Sequence, residues 1–359
     1  RPPRSTLFPY TTLFRSYFVG INRNKRSIAL DLKKASGRAV LLRLAAAADV
    51  FVHNVRPAAM ARLKLGASDL LAANPRIVYA SLHGFGETGP YAGRPAYDDL
   101  IQGLTALPAL TGRITGEPRY SPATMADRIV GLNAVHAILA ALFHRERTGE
   151  GQAIEIPMFE TMAQFVLGDH MAGRSFDPPI GPPGYSRLLS PDRRPYQTSD
   201  GYICALVYSD KQWNAFFAKI GLADEADRDP RLNSISARTR NYDFVYDWFS
   251  QMMKTRSTAE WMHFFAEADI PHAPLHDLDS LIDDPHLAEV GLIQSLEHPT
   301  EGTLRVAGPA ATWSKTPPSI RTYPPNLGEH GREILHEAGL ADAEIAALLK
   351  EGALIEPDR

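Results

Sequence analysis

A glycine-rich segment, residues 84–89, is the first stretch whose residue types and spacing suggest chemistry. Its glycines satisfy the G-x-G-x-x-G pattern of dinucleotide-binding turns, and it follows a predicted strand. In those turns the last glycine opens a helix, and an acidic residue ends a strand about 20 residues later. Here the loop sequence 90–95 follows instead. We therefore expect a flexible loop beside a ligand site, because glycine lets backbone approach a ligand closely.

Basic residues are concentrated near the start of the chain. Residues 15–43 include eight lysines and arginines but one acidic residue, Asp31, a local charge of +7 in a chain of net charge −3. A solvated helix surface would have this composition. A docking surface for a polyanionic small molecule, such as a nucleotide, would have it too. Nucleic acid is not expected as a partner, because aromatic residues for base stacking are not interleaved here.

Other catalytic and metal-binding patterns are not found. The sequence has no P-loop, HExxH or GxSxG motif. No metal site is predicted, because the spacing of the clustered histidines near Asp279 and Asp283 does not place them on one face. The single cysteine, Cys204, excludes an internal disulfide and a thiolate metal cluster, and is expected to be a packed structural residue.

The overall composition is that of a globular protein. The 359 residues are 44% hydrophobic and 22% charged, which excludes disorder, collagen and coiled coil as the main state. No uninterrupted apolar run approaches the roughly 18 residues of a membrane-spanning helix. Residues 1–16 lack the apolar core of a secretory signal. Because a patterned domain starts abruptly at Tyr17, we expect residues 1–16 to be a non-native segment, with a transit peptide as the alternative.

The elements that would position these residues alternate between strand and helix. The predicted strands are 27–32, 49–53, 76–82 and 153–156, and the predicted helices are 37–48, 69–73, 127–147 and 157–168. This order is typical of βαβ units and a parallel sheet. The helix at 127–147 is apolar nearly all round, which predicts burial. Residues 173–200 and 315–327 are predicted loops or linkers, with a hairpin between them at 292–306.

Several ordered blocks resemble one family. They are residues 22–33 (NRNKRSIALDLK), 49–57 (DVFVHNVRP), 81–90 (SLHGFGETGP), 94–98 (RPAYD), 148–152 (TGEGQ), 284–287 (DPHL) and 327–330 (LGEH). From about Tyr17 to about Gly352, the sequence resembles the class III CoA-transferases. This CaiB/BaiF-like group includes formyl-CoA transferase, carnitine CoA-transferase and α-methylacyl-CoA racemase.

The resemblance implies an α/β fold with a Rossmann-like large domain, whose sheet is parallel, and a smaller α+β domain. With the two loop-rich stretches as boundaries, residues 17–200 and 315–359 form the large CoA-binding domain, which is discontinuous in sequence. Residues 201–314 form the small domain. Two chains are expected to interlock as a homodimer in the cytoplasm, without a membrane or nucleic-acid partner.

The resemblance also implies a nucleophile. The family's transferases use a carboxylate shortly after the T-G-x-G-Q turn, and Glu160 matches that position, where aspartate is usual. If Pro157 opens a helix, Glu160 lies in its first turn. There the positive end of the helix favours the ionised, nucleophilic carboxylate. A purely structural, helix-stabilising role for Glu160 remains the alternative.

Coenzyme A is implied as the group transferred, and no metal is implied. By the same resemblance, the residues that contact it are Leu30, Lys33, Asn54, Val55, Arg56, Arg62, Tyr97 and Asp98. The guanidinium groups of Arg56 and Arg62 suit phosphate, although Arg62 would equally fit a solvated helix surface. The partners are an acyl-CoA and a small carboxylic acid. Three arginines of the 173–200 loop would suit the carboxylate of the acid: Arg187, Arg193 and Arg194.

The expected reaction passes CoA from one acid to another through a mixed anhydride and a glutamyl-CoA thioester. A racemase is one alternative, with its His and Asp at the positions of Tyr97 and Asp127. Transfer is favoured because phenols titrate near pH 10 and do not replace an imidazole base. The other alternative is an inactive CoA-binding remnant, since family members have a further strand–helix unit and a basic residue before the position of Tyr17.

Overall fold

The computed structural model describes residues 12–356, and the side chains of residues 16–356. Its strands are β1 (Ala29–Leu30), β2 (Val50–His53), β3 (Val78–His83), β4 (Gln152–Pro157), β5 (Tyr196–Gln197), β6 (Tyr202–Ala205), β7 (His272–Pro274), β8 (Ile293–His298), β9 (Gly302–Ala307) and β10 (Leu354–Ile355). Its α-helices are α1 (Thr12–Ile21), α2 (Ala35–Ala46), α3 (Pro57–Leu63), α4 (Ala67–Ala73), α5 (Asp98–Leu104), α6 (Leu107–Thr115), α7 (Met125–Thr148), α8 (Met158–His170), α9 (Asp210–Ile220), α10 (Ala223–Arg228), α11 (Ile235–Arg240), α12 (Tyr242–Met253), α13 (Thr258–Glu267), α14 (Leu278–Ile282), α15 (Pro285–Glu289), α16 (Gly331–Glu337) and α17 (Asp342–Lys350).

The chain forms two compact units, and both are discontinuous in sequence. The first contains residues up to 94, residues 131–157 and residues from 278 onwards. The second contains residues 95–130 and 158–277. The domain boundaries expected from the family likeness stay a prediction. Residues 1–11 of the expected non-native segment lie outside the described residues, whereas helix α1 runs across the expected junction at Tyr17.

The predicted parallel sheet is confirmed in the first unit. Strands β2, β3 and β4 lie in that order, and both pairs are parallel. The central strand β3 is buried along nearly its whole length, as expected for a strand with a neighbour on each side. Its Tyr79 packs with Phe51 and with apolar residues of α3 and α4. These contacts fix the direction in which the strand ends point.

The strand predicted at 27–32 is wrong in extent and in partner. Only Ala29 and Leu30 are extended, and they pair antiparallel with β10 near the end of the chain. The backbone N–H of Asp31 donates to the carbonyl of Ala353, and that of His330 donates to the carbonyl of Ser27. Pairing with this distant segment, which local alternation does not reveal, keeps β1 out of the parallel sheet.

The prediction that the helix at 127–147 is buried all round is wrong. In α7 a row spaced i, i+3, i+7 and i+11 is more than half exposed, from Leu132 at 66% to Phe143 at 64%. An all-round apolar composition cannot specify which side is covered, so the exposed side was not distinguishable. By length and composition α7 is also apolar enough to cross a membrane, a test that core helices of soluble proteins pass as well.

The second unit is mainly helical. Its largest core is aromatic and includes Phe216, Trp261 and Phe265, each completely buried between α9, α12 and α13. A small antiparallel sheet of β5, β6 and β7 joins this core. Separately, α5, α6 and α8 pack together, with Met162 of α8 fully buried. These three helices carry the residues that matter below.

Candidate active site

The first unit has a cavity of about 400 Å³ at the ends of its parallel strands. Carboxyl ends of parallel strands meet at one edge of a sheet, where α/β proteins commonly bind ligands. We call this the strand-end cavity. Its polar lining residues are His53, Tyr79, Ser81, His83, Glu87 and Glu155. No motif predicts this set, although Tyr79 and Ser81 alternate along the strand predicted at 76–82 and His83 follows it directly, a spacing that places the three on one side.

A hydrogen-bonded chain fixes His53 at one side of the strand-end cavity. The backbone N–H of Val55 donates to His53 Nδ1 over 3.1 Å. The proton of the neutral ring is therefore on Nε2, which donates to the Tyr79 hydroxyl over 2.7 Å. That hydroxyl donates to the carbonyl of Leu65. Burial, and then the neighbouring His83, lower the pKa of His53, while burial raises the pKa of Tyr79.

A second polar group lies around His83. Its Nε2 is 3.4 Å from a carboxylate oxygen of Glu87, and Glu155 Oε1 accepts the backbone N–H of Glu87 over 2.8 Å. One potential ligand atom from each of the three side chains lies within 4.8 Å of the others. One nitrogen and two carboxylates are donors that zinc and similar cations accept. By geometry this group could hold such a cation, and the absence of a metal stays a prediction.

Two of the predicted CoA residues line one cavity. Arg56, just before α3, and Arg62, in its last turn, border a cavity of about 330 Å³, which we call the arginine cavity. The cavity is also lined by Glu87 of the glycine-rich loop and by Gly93, which lies after that loop. Two exposed guanidinium groups face one carboxylate there, which gives the cavity a net positive lining suited to phosphate.

The other predicted CoA residues of the first unit lie outside the lining of that cavity. Asn54 and Val55 are exposed and immediately precede Arg56. Leu30 is half-buried in β1, and Lys33 is exposed in the turn that precedes α2. The structure therefore brings together Arg56 and Arg62 among these residues, and leaves the positions of the others as separate predictions.

Tyr97 and Asp98 belong to the second unit, at the start of α5. Tyr97 is 78% exposed. Both carboxylate oxygens of Asp98 accept hydrogen bonds, one from Gln102 Nε2 over 2.6 Å and one from the backbone N–H of Asp127 over 3.0 Å. Partial burial, and then the Asp98 carboxylate, raise the pKa of Asp127. Asp98 therefore has a structural role within this unit, whatever else it contacts.

Glu160 lies in the first turn of α8 and is exposed. The helix begins at Met158, because Pro157 still pairs with His83 as the last residue of β4. The expectation that Pro157 opens the helix is wrong by one residue, but the position of Glu160 at the positive end of the helix is as predicted. The N–H groups of a first turn have no acceptor within the helix itself, and the positive end that they form favours an ionised carboxylate.

A third cavity, of about 350 Å³, lies between α5, α6 and α8 in the second unit. We call it the apolar cavity. Most of its lining is hydrocarbon, and the residues are Leu104, Thr105, Ala106, Leu110, Arg113, Phe159, Ala163, Val166, Leu167, His170, Pro183 and Gly184. No motif predicts it. The available signal was the apolar row of α8 that starts beside Glu160, together with one arginine in α6.

The three arginines of the 173–200 loop that were expected to bind a substrate carboxylate lie outside the apolar cavity. Arg187 Nε donates to the Tyr246 hydroxyl over 2.9 Å, in a separate, smaller cavity. Arg194 pairs with Asp192 at 3.2 Å. Arg193 is exposed in the same loop. None of the three lines the apolar cavity.

Comparisons with known proteins agree with the family resemblance. The model of CoA-transferase family III matches residues 8–331 and so begins inside the segment expected to be non-native. An acyl-CoA transferase of Fusarium pseudograminearum is 32% identical, over 95% of this chain and 75% of its own length. The succinyl-CoA:glutarate CoA-transferase of Homo sapiens is 29% identical, over 96% and 79%.

Solved structures give the same result. A CAIB/BAIF family protein from Brucella suis superimposes with a TM-score of 0.73 and 29% identity, over 90% of this chain and 84% of that one. The mixed α/β fold with a parallel sheet is thus shared with solved members of the group. Since the family model spans nearly all of the sequence, this chain belongs to CoA-transferase family III.

Proposed function

We propose that this chain moves CoA from an acyl-CoA to a carboxylic acid, with Glu160 as the nucleophile. The observation that carries the proposal is the exposed carboxylate of Glu160 in the first turn of α8. By the resemblance of the T-G-x-G-Q turn before it, Glu160 is at the position of the family's nucleophile, and the chain belongs to CoA-transferase family III. Glutamate instead of aspartate keeps the carboxylate and extends it by one methylene.

The proposed reaction is two acyl exchanges on one carboxylate. A Glu160 oxygen attacks the thioester carbon, the C–S bond breaks, and a mixed anhydride and CoA thiolate result. The thiolate attacks the glutamyl carbonyl, which releases the first acid and leaves a glutamyl-CoA thioester. A carboxylate oxygen of the second acid attacks this thioester, which gives a second mixed anhydride and the CoA thiolate. The thiolate then attacks the acyl carbon of the second acid, which forms the new acyl-CoA and restores Glu160. Nothing is oxidised or reduced.

CoA must remain bound while its acyl group changes. Arg56 and Arg62 supply two positive charges for the phosphates of CoA. Six further residues are proposed as CoA contacts: Leu30, Lys33, Asn54, Val55, Tyr97 and Asp98. Binding energy at the remote nucleotide holds the thiolate for its second attack, because that attack is then intramolecular. The homodimer and the cytoplasmic location belong to the same proposal, and sedimentation of the purified chain tests the first of them.

The decisive experiment compares two substitutions of Glu160 with a matched control. Glu160→Gln removes the nucleophile and should lower CoA exchange between acids by at least about 10³-fold. Glu160→Asp should retain measurable exchange. Glu150→Gln, the same change at an exposed turn residue nearby, should leave exchange unchanged.

A second measurement identifies the intermediate. Hydroxylamine should trap an acyl-enzyme as a hydroxamate at residue 160 in the wild type and in no Glu160→Gln sample. Full exchange by Glu160→Gln would refute the assignment. Deuterium uptake at the α-carbon of an acyl-CoA, without exchange, would establish the racemase alternative. CoA binding without either reaction would establish the alternative of an inactive CoA-binding remnant.

A further inference from the structure

Three side chains that can bind a metal ion meet in the strand-end cavity. His83 is the last residue of β3, and Glu155 lies in the neighbouring strand β4. Glu87 lies four residues after His83, in the glycine-rich loop, and all three residues line the cavity. One potential ligand atom from each lies within 4.8 Å of the others. Two paired strands therefore carry two of the donors, and the loop adds the third.

The spacing of His83 and Glu87 is that of two ligands on one cation. Two ligand atoms about 2.1 Å from a tetrahedral zinc ion are roughly 3.4 Å apart. His83 Nε2 is 3.4 Å from Glu87 Oε1. Glu155 has two carboxylate oxygens, so one can bind a cation while Oε1 accepts the backbone N–H of Glu87. Because the Glu155 side chain is exposed, it can rotate to complete the set.

The histidine of this group is buried but has no hydrogen bond to its ring. The His83 side chain is 7% exposed, and over residues 16–356 the Glu87 carboxylate is the one ion-pair or hydrogen-bond partner of the ring. Buried polar side chains normally have such partners. A buried ring that lines a cavity without a hydrogen bond is available to a ligand there, and imidazole is the commonest metal ligand.

The charge of the group also favours a cation. Glu87 and Glu155 are both carboxylates, and in the part of the chain that the structure describes no lysine or arginine forms an ion pair with either. A divalent cation would neutralise the two charges. The imidazole beside them favours metals that accept nitrogen, such as zinc, over Mg²⁺ and Ca²⁺, which take oxygen ligands.

We propose that His83, Glu87 and Glu155 bind one divalent transition-metal cation such as Zn²⁺, which holds the glycine-rich loop against β4. Three protein ligands leave the fourth tetrahedral position to water. The proposal departs from the sequence-based prediction of no metal, because the histidines considered there lie near Asp279. It is independent of the proposed function, since it requires neither CoA nor turnover.

Zinc binding by the untagged full chain is the first test. After treatment with a chelator, calorimetric titration near neutral pH should show one equivalent of bound Zn²⁺ and no comparable binding of Mg²⁺. Glu87→Gln and Glu155→Gln, which keep the shape of the side chains, should each weaken Zn²⁺ binding by about 100-fold or more, the upper end of what loss of an outer-shell partner costs. Glu87→Asp keeps a carboxylate and should retain part of the affinity.

The matched control is His263→Gln. His263 is 76% exposed and lies 3.2 Å from Glu267, one helical turn away, a pair that could bind zinc adventitiously. This variant should bind Zn²⁺ as the wild type does. An equal loss of binding in His263→Gln, undiminished binding by Glu87→Gln, or no binding by the wild type would each overturn the inference.

Amide hydrogen exchange tests where the cation binds. In the wild type, Zn²⁺ should slow exchange at the Glu87 amide, because a ligated loop opens less often. In Glu87→Gln, the same concentration of Zn²⁺ should leave exchange at residue 87 unchanged. Zinc binding without slower exchange at Glu87 would place the cation elsewhere, and the proposal would fail.

Discussion

The two units form their cavities in different ways. In the first unit, the strand-end cavity is rich in titratable groups, and several of them pair with one another, as His53 does with Tyr79 and His83 with Glu87. In the second unit, the apolar cavity is lined mostly by hydrocarbon, and its polar lining residues are Thr105, Arg113 and His170. The polar side chains of the strand-end cavity therefore hold one another in place, whereas the apolar cavity depends on the packing of its helices.

The largest expected effect tests how each cavity is supported. Met162→Ala removes a completely buried side chain of α8 and should lower the free energy of unfolding by about 2–5 kcal/mol, measured in urea. Tyr79→Phe, which removes a hydroxyl from the strand-end network, should cost about 1 kcal/mol. This outcome would show that the buried side chain of Met162 contributes more to stability than the hydroxyl of Tyr79 does.

A volume-conserving variant serves as the control for Met162→Ala. Met162→Leu keeps nearly the same buried volume and should cost less than about 1.5 kcal/mol. If Tyr79→Phe were the more damaging of the two main variants, hydrogen bonding would be the stronger support, and the contrast between the units would have to be reversed.

The next effect tests whether the two units recognise different parts of the substrates. Arg56→Glu and Arg62→Glu should each raise KM for acyl-CoA by at least about tenfold, because each removes a charge-assisted phosphate contact. KM for the acid should not change. Lys64→Glu reverses an exposed charge next to α3 and outside the arginine cavity, so an equal rise there would indicate general attraction rather than a site.

Local patterns predicted those parts of the structure that depend on neighbouring residues. Alternation and apolar runs located β2, β3 and β4, and the order of strands and helices predicted their parallel pairing. The first-turn position of Glu160 followed from a helix expected to begin at Pro157, and the helix begins one residue later. The position of each element depends on neighbouring residues, whereas the parallel pairing, which joins residues as distant as Val78 and Gln152, follows from the order of strands and helices.

Distant contacts could not be predicted in the same way. β1 pairs with residues more than 300 positions away, and no local spacing reveals such a partner. The apolar cavity is formed by α5, α6, α8 and the loop at Gly184. No spacing within one of these elements indicates that Arg113 lines a cavity. The apolar residues of α8 indicated that one side of the helix is apolar, but the sequence has the same periodicity whether that side faces a packed core or a cavity.

A smaller effect concerns the glycine-rich loop. Glu155→Ala removes the acceptor for the Glu87 backbone N–H, and should lower the free energy of unfolding by about 1 kcal/mol. Amide hydrogen exchange at Glu87 should become faster. Glu155→Gln keeps an acceptor oxygen and should restore slow exchange. Fast exchange in both variants would show that the negative charge, rather than the hydrogen bond, holds the loop.

The smallest effect is the pH dependence of the strand-end cavity. Burial lowers the pKa of His53 in the folded chain, so it stays below the value of about 6.5 expected when unfolded. Below pH 6.5 the unfolded chain takes up this proton first. Stability present above that pH is therefore lost as pH falls through the folded pKa. His53→Gln should lose less stability than the wild type over that interval, in urea titrations at several pH values.

A substitution at His83 can separate the two causes that lower the pKa of His53. Burial acts on His53 more strongly than the charge of His83 does. In His83→Gln the pKa of His53, measured from its ring protons by NMR, should therefore rise but remain below 6.5. A full return to 6.5 would make repulsion the main cause. The pKa of His53 would then depend on the charge of His83 rather than on burial, and the strand-end cavity would differ from the apolar cavity in electrostatics more than in packing.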